Sequence, residues 1–108
     1  MNYLVKATPS RRLAELSAAE RDALMPGERV AARTLIAAGD LVWMWRYPGS
    51  TASVSIWNAG DAEMLDEHLQ ALPMHPYHDF EITALDSHPA FPAALRAGVA
   101  EGAVDVQA

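Results

Sequence analysis

The stretch from Leu41 to Trp57 constrains the fold more than any other part of the chain. Leu41 to Tyr47 is a run of aliphatic and aromatic residues, Pro48-Gly49-Ser50 punctuates it, and Thr51-Ala52-Ser53-Val54-Ser55-Ile56-Trp57 then alternates. Two β-favouring arms on either side of a Pro-Gly turn read as a hairpin. In the second arm Ala52, Val54 and Ile56 share one face and Thr51, Ser53, Ser55 and Trp57 the other, because strand side chains alternate. The first face suits a dry core and the second a lined pocket or an interface.

Helix signals stand on both sides of the hairpin. Upstream, Ser17-Ala18-Ala19-Glu20 has the capping-box pattern, in which the serine hydroxyl and the glutamate carboxylate each take an otherwise unpaired N–H. The helix it starts carries Leu24, Val30, Ala31, Leu35 and Ile36 at helical spacing and stops at Gly39-Asp40. Pro26-Gly27 lies inside it. An internal proline costs about 3 kcal/mol, so this helix is expected to be kinked or split there, with Glu28 starting the second piece. Downstream, Asp61 is a good N-cap, Met64, Leu65, His68, Leu69 and Leu72 form one stripe, and Pro73 ends the helix. An N-terminal strand fits Tyr3 to Ala7, closed by Pro9, and a further strand fits Asp79 to Leu85, where Phe80, Ile82 and Ala84 alternate with Glu81 and Thr83. A short helix around Ala93 to Ala97 and a loose end complete the chain.

The order strand, helix, strand, strand, helix, strand is that of the split βαβ, or ferredoxin-like, arrangement: an α+β fold with one antiparallel sheet and two helices on one face. The chain has 108 residues. That length supplies one layer of helices and no second, so the other sheet face needs a partner and dimerisation through it is the natural solution. Residues 1–92 form the expected domain and 93–108 a tail. With 51% hydrophobic and 20% charged residues the composition is that of a globular domain. No apolar run approaches the roughly 18 residues of a membrane span. Met1 to Ser10 lacks a secretory pattern, so an intracellular, cytoplasmic location is expected. Eight basic against fourteen acidic residues give a net charge of −6, which opposes nucleic-acid binding. The absence of cysteine removes disulfides, thiolate metal sites and cysteine nucleophiles.

Several local patterns together resemble the muconolactone Δ-isomerases. They are Tyr3-Leu4-Val5-Lys6, Glu28 followed by Ala31, Leu35 and Gly39, Trp45-Arg46 with Gly49, Leu65, and above all Leu72-Pro73-Met74-His75-Pro76-Tyr77-His78-Asp79-Phe80-Glu81, with His88-Pro89 beyond. The resemblance implies a ferredoxin-like subunit whose sheets associate into a dimeric α/β barrel or larger homo-oligomer. It also implies a cofactor-free proton transfer on a small unsaturated lactone. Three features depart from the family pattern. Trp43-Met44 stands where a pair such as His-Leu is usual, Pro26-Gly27 interrupts the helix, and His75 and His78 replace apolar residues.

Moving a C=C bond within a lactone needs a base, an electrophile to hold the dienolate charge, and an acid to return the proton. Glu28 is the candidate base, against the alternative of an exposed glutamate in a helix's first turn. Arg46 would anchor a carboxylate or hold the enolate; otherwise it pairs with Glu81 or Asp79. His75 and His78 are candidate proton shuttles, or surface loop residues; with His88 they invite a metal, but their spacing is poor for one and no metal is assigned. His68 reads as structural. Trp43, Trp45 and Tyr47 share a strand face, with Trp57 across the hairpin; such a wall suits a flat ligand, although an aromatic row at strand spacing is more often a core or dimer contact. Ser53, Ser55 and Tyr77 complete the candidate substrate contacts. Two other readings stand beside the isomerase: a cofactor-free cyclase or oxygenase tailoring a polyketide or similar secondary metabolite, favoured by the tryptophans, and a binding module without catalysis.

Overall fold

In a computed structural model of the chain, residues 1–91 are described. The expected helix at Ala93–Ala97 and the tail lie outside them. The elements run β1 (Asn2–Pro9), α1 (Arg11–Ala14), α2 (Ala18–Ala37), β2 (Leu41–Arg46), β3 (Ser53–Asn58), α3 (Ala62–Gln70), a 3-10 turn (His75–Tyr77) and β4 (His78–Leu85). The four strands form one sheet in the order β2-β3-β1-β4, every pair antiparallel. That is the ferredoxin-like topology read from the sequence.

The end signals work as their chemistry requires. Ser17 Oγ accepts the Glu20 N–H at 3.1 Å while Glu20 Oε1 accepts the Ser17 N–H at 2.9 Å. At the other end of α2, Gly39 has φ 81° and its N–H donates to the Ile36 carbonyl, while Asp40 N–H reaches back to Leu35. This is a Schellman closure. Asp61 caps α3 by accepting the Met64 N–H at 2.8 Å. In the hairpin, Pro48 and Gly49 occupy the middle of a turn closed by Ser50 N–H to the Tyr47 carbonyl, and Gly49 has the positive φ of 70° that the second central position of such a turn demands.

Three expectations are corrected. Helix α2 is neither split nor restarted at Glu28: it runs unbroken through Pro26, so Glu28 is mid-helix. The carbonyl that Pro26 leaves without its usual helical donor belongs to Asp22, and both residues are on the exposed side of the helix. Strand β1 continues through Pro9, which pairs with His78; β3 stops pairing at Ala7, so the proline interrupts no ladder on that side. The extra helix α1 was not foreseen; it buries Leu13.

The core lies between the sheet and α3, and is built of Tyr3, Val5, Leu41, Trp57, Leu65 and Leu69 with Ala59; Ala32 and Leu35 of α2 and Phe80 of β4 pack against it. Burying each large apolar side chain contributes about 1.5–3 kcal/mol. The register assigns the faces: Tyr3, Val5 and Ala7 stand beside Trp57, Ser55 and Ser53 on the helix side. Leu4 and Lys6 stand beside Ile56 and Val54 on the other. The alternation in β3 was therefore read correctly, but the dry core sits on the Trp57 side, and Val54 and Ile56 belong to the face that none of the described helices covers, here called the uncovered face.

Candidate active site

Between the helix side of the sheet, α2 and the segment 72–78 is a cavity of about 540 Å³. Helix α2 turns one face toward it. Leu24, Met25, Glu28, Ala31, Ala32 and Leu35 are half-buried at helical spacing, whereas Val30 and Ile36, expected to pack inward, are 62% and 53% exposed. Met25 and Glu28, one turn apart, line the cavity.

Glu28 is held by the backbone of the loop that precedes β4. Its Oε2 accepts the Met74 N–H at 3.1 Å. Burial pushes its pKa above the ordinary glutamate range, opposed in part by the Met74 N–H and by the charge of His78. The same Met74 also fixes His78, whose Nδ1 lies 3.1 Å from the Met74 carbonyl. A carbonyl only accepts, so Nδ1 carries the hydrogen and Nε2 is the nitrogen left to exchange a proton. One residue thus positions a carboxylate with its amide and an imidazole with its carbonyl. His75 stacks on Phe80, ring centroids 5.0 Å apart and 16° from parallel.

Arg46 reaches the cavity because of a bulge in β2. Leu41 pairs with Trp57 and Trp43 with Ile56, so Val42 is an extra residue and the alternation shifts. Leu41 points into the core at 3% exposure. Past the bulge Met44 and Arg46 stand opposite Ser55 and Ser53 on the helix side, while Trp43 and Trp45 stand on the uncovered face. Arg46 has no ion pair among the described residues. Its alternative partners Glu81 and Asp79 are on β4, with β3 and β1 between, and are paired with Lys6 and Thr8.

The aromatic wall divides. Trp43 and Trp45 stack 5.6 Å apart at 8°, and Lys6 lies 5.8 Å over the Tyr47 ring, all on the uncovered face. Trp45 touches the cavity where β2 borders it; Trp43 and Tyr47 do not. Trp57 is on the opposite face, 2% exposed at the cavity floor, so the four rings form no common wall. Tyr77 is also outside, with Arg12 5.8 Å over its ring. Ser53 and Ser55 line the cavity, but the Ser55 hydroxyl is engaged. It accepts Trp57 Nε1–H at 2.8 Å and donates to the Val5 carbonyl at 3.3 Å, so it holds the indole in place. His68 has its Nε2 3.8 Å from Asp40, but its buried Nδ1 has no partner among the described residues, so the structural reading is supported on one side of the ring only. No three His, Asp or Glu converge as a metal site among the described residues, and no described helix is long and apolar enough to cross a membrane. Met25, Met44, Leu72, Met74 and Phe80 also line the cavity and were not foreseen as contacts. The helical spacing of Met25 with Glu28 was the one signal for them.

A ferredoxin-like α+β subunit with a mainly apolar cavity, a carboxylate on its helix wall and an arginine on its sheet wall is a scaffold for converting a small organic molecule. Comparison with known proteins narrows this: the family model for muconolactone delta-isomerase matches residues 1–90, and the chain belongs to that family of isomerases. The muconolactone Δ-isomerase of Acinetobacter baylyi is 34% identical over 62 residues, 57% of this chain and 65% of that protein. The Pseudomonas putida enzyme is 29% identical over 75 residues, 69% and 78% of the two chains. A crystal structure of muconolactone isomerase superposes with a TM-score of 0.72 at 30% identity, covering 84% of this chain and 94% of the other.

Proposed function

We propose that this protein is a cofactor-independent isomerase that shifts a C=C bond in an unsaturated lactone by proton transfer. The observation that carries the reading is a half-buried Glu28 sharing one cavity with an Arg46 that has no ion pair among the described residues. In an α,β-unsaturated lactone, the anionic Glu28 takes the proton at the γ carbon, and the electron pair moves through the double bond onto the carbonyl oxygen. Arg46 offers that oxygen, or a carboxylate elsewhere on the substrate, its fork of N–H donors. Return of the proton to the α carbon regenerates the carbonyl and leaves the double bond one position along. His78 serves as a second proton carrier through Nε2, its ring held by Met74.

The polyketide-cyclase reading rested on a tryptophan wall, and Trp43 and Tyr47 lie away from the cavity; no observation favours it. The reading places the protein in the cytoplasm, as a homodimer or larger homo-oligomer joined through the uncovered sheet face. The test is an ultraviolet assay of muconolactone conversion to its enol-lactone. Turnover by the unaltered protein, reduced about 10²- to 10⁴-fold in Glu28→Gln, is the expected result for loss of a general base. An inactive unaltered protein would end the isomerase reading, and an unimpaired variant would remove Glu28 from it.

A further inference from the structure

We propose that the substrate of this site is bulkier than muconolactone: an unsaturated lactone acid carrying an aryl substituent, whose ring lodges against Met25, Met44 and Met74. This rests on the isomerase reading above and concerns the size and apolar character of what that chemistry acts on. The first observation is volume. The cavity holds about 540 Å³, within the range of about 300–1,000 Å³ typical of pockets for drug-sized ligands, whereas muconolactone has only about ten non-hydrogen atoms.

The second observation is the wall. Its polar groups are few and already suffice for the small lactone: Glu28 for the proton, Arg46 for an oxyanion or carboxylate, His78 for proton return. Besides these groups and His75, Thr51, Ser53 and the engaged Ser55, the lining is apolar, and that part would face an ill-filled space around a small polar substrate. Three of these residues are methionines, drawn from three separate parts of the chain: α2, β2 and the loop before β4. Thioethers are flexible and polarizable and make favourable contacts with aromatic rings. Beside them His75 and Phe80 are stacked 5.0 Å apart, a flat surface against which a second ring can lie. Trp57, pinned by Ser55, closes the floor rigidly, so the adaptable part of the wall is the methionine part.

The experiment compares kcat/KM of the full chain for muconolactone and for the same lactone acid bearing a phenyl group on the ring. The phenyl lactone is expected to be the better substrate by at least tenfold, the scale at which an apolar group in a fitting pocket discriminates. Met44→Trp, which fills part of the space from β2, is expected to lower kcat/KM for the phenyl lactone at least tenfold more than for muconolactone. Preference for muconolactone in the unaltered protein would overturn this inference and leave the isomerase reading standing. A Met44→Trp protein that keeps its melting transition and depresses both substrates equally would overturn the placement of the ring. Turnover of neither lactone would overturn both readings.

Discussion

Glu28 has the most to lose and gain from its position. Burial raises its pKa, so the folded state binds its proton more tightly than the unfolded chain does. Stability from this group is therefore complete below the unfolded pKa and falls as pH rises through the raised folded value. Glu28→Gln, which keeps an acceptor for the Met74 N–H, is expected to melt about 2–4 °C above the unaltered protein at pH 8 and to show no such gain at pH 4. Thermal denaturation at the two pH values reads this directly. The same shift moves the acid limb of kcat/KM above the ordinary glutamate range, since the base works only when ionised; a limb at the ordinary glutamate value would contradict the burial of that carboxylate. For Arg46, a guanidinium on the sheet wall with no ion pair among the described residues, Arg46→Ala is expected to reduce kcat/KM by about 10²-fold or more, and Arg46→Lys to restore only part, because an ammonium lacks the planar fork. Full recovery by lysine would mean that charge alone is needed.

Among the elements, α2 shows how local chemistry holds a helix that propensity disfavours. Its capping box and Schellman closure anchor both ends around an internal proline. Ser17→Ala is expected to lower stability by about 1 kcal/mol in denaturant unfolding, a typical cap loss. The α2 backbone that the caps define also carries Glu28, so a decrease in turnover beyond the change in folded fraction would show that the caps hold the site as well as the helix. The hairpin has a comparable dependence at Gly49. With φ at 70°, Gly49→Ala forces a side chain into the left-handed region, at a cost of about 1–2 kcal/mol.

At the level of the whole molecule, one face of the sheet carries no layer among the described residues. Trp43 and Trp45, 44% and 53% exposed, stack there beside the partly buried Val54 and Ile56, and Lys6 and Glu81 are paired neighbours on the same face. Apolar rings bordered by both signs of charge have the character of a self-association surface, and the homo-oligomer proposed above would use it. Replacing Trp43 and Trp45 together by serine is expected to weaken self-association at least tenfold while the chain stays folded. Sedimentation velocity over a concentration series measures it, and an unchanged assembly would place the contact elsewhere.

The sequence by itself determined the four strands, the two main helices, their order, and the caps and turn that bound α2, α3 and the hairpin. The capping box at Ser17, the glycine stop at Gly39, the Asp61 cap and the Pro48-Gly49 turn are contacts between residues a few positions apart, so their chemistry is legible along the chain. From that order followed the antiparallel four-stranded sheet. What tertiary structure decided was which side chains meet. The Val42 bulge depends on how β2 pairs with β3; it turns Arg46 inward and Trp43 outward, a reversal that alternation along β2 alone does not reveal. Val30 and Ile36 fit a helical stripe, but the wall that α2 faces selects Met25 and Glu28 instead. Met74 joins Glu28 to His78 through its own backbone, and a backbone amide is the same in every residue, so no side-chain pattern announces it.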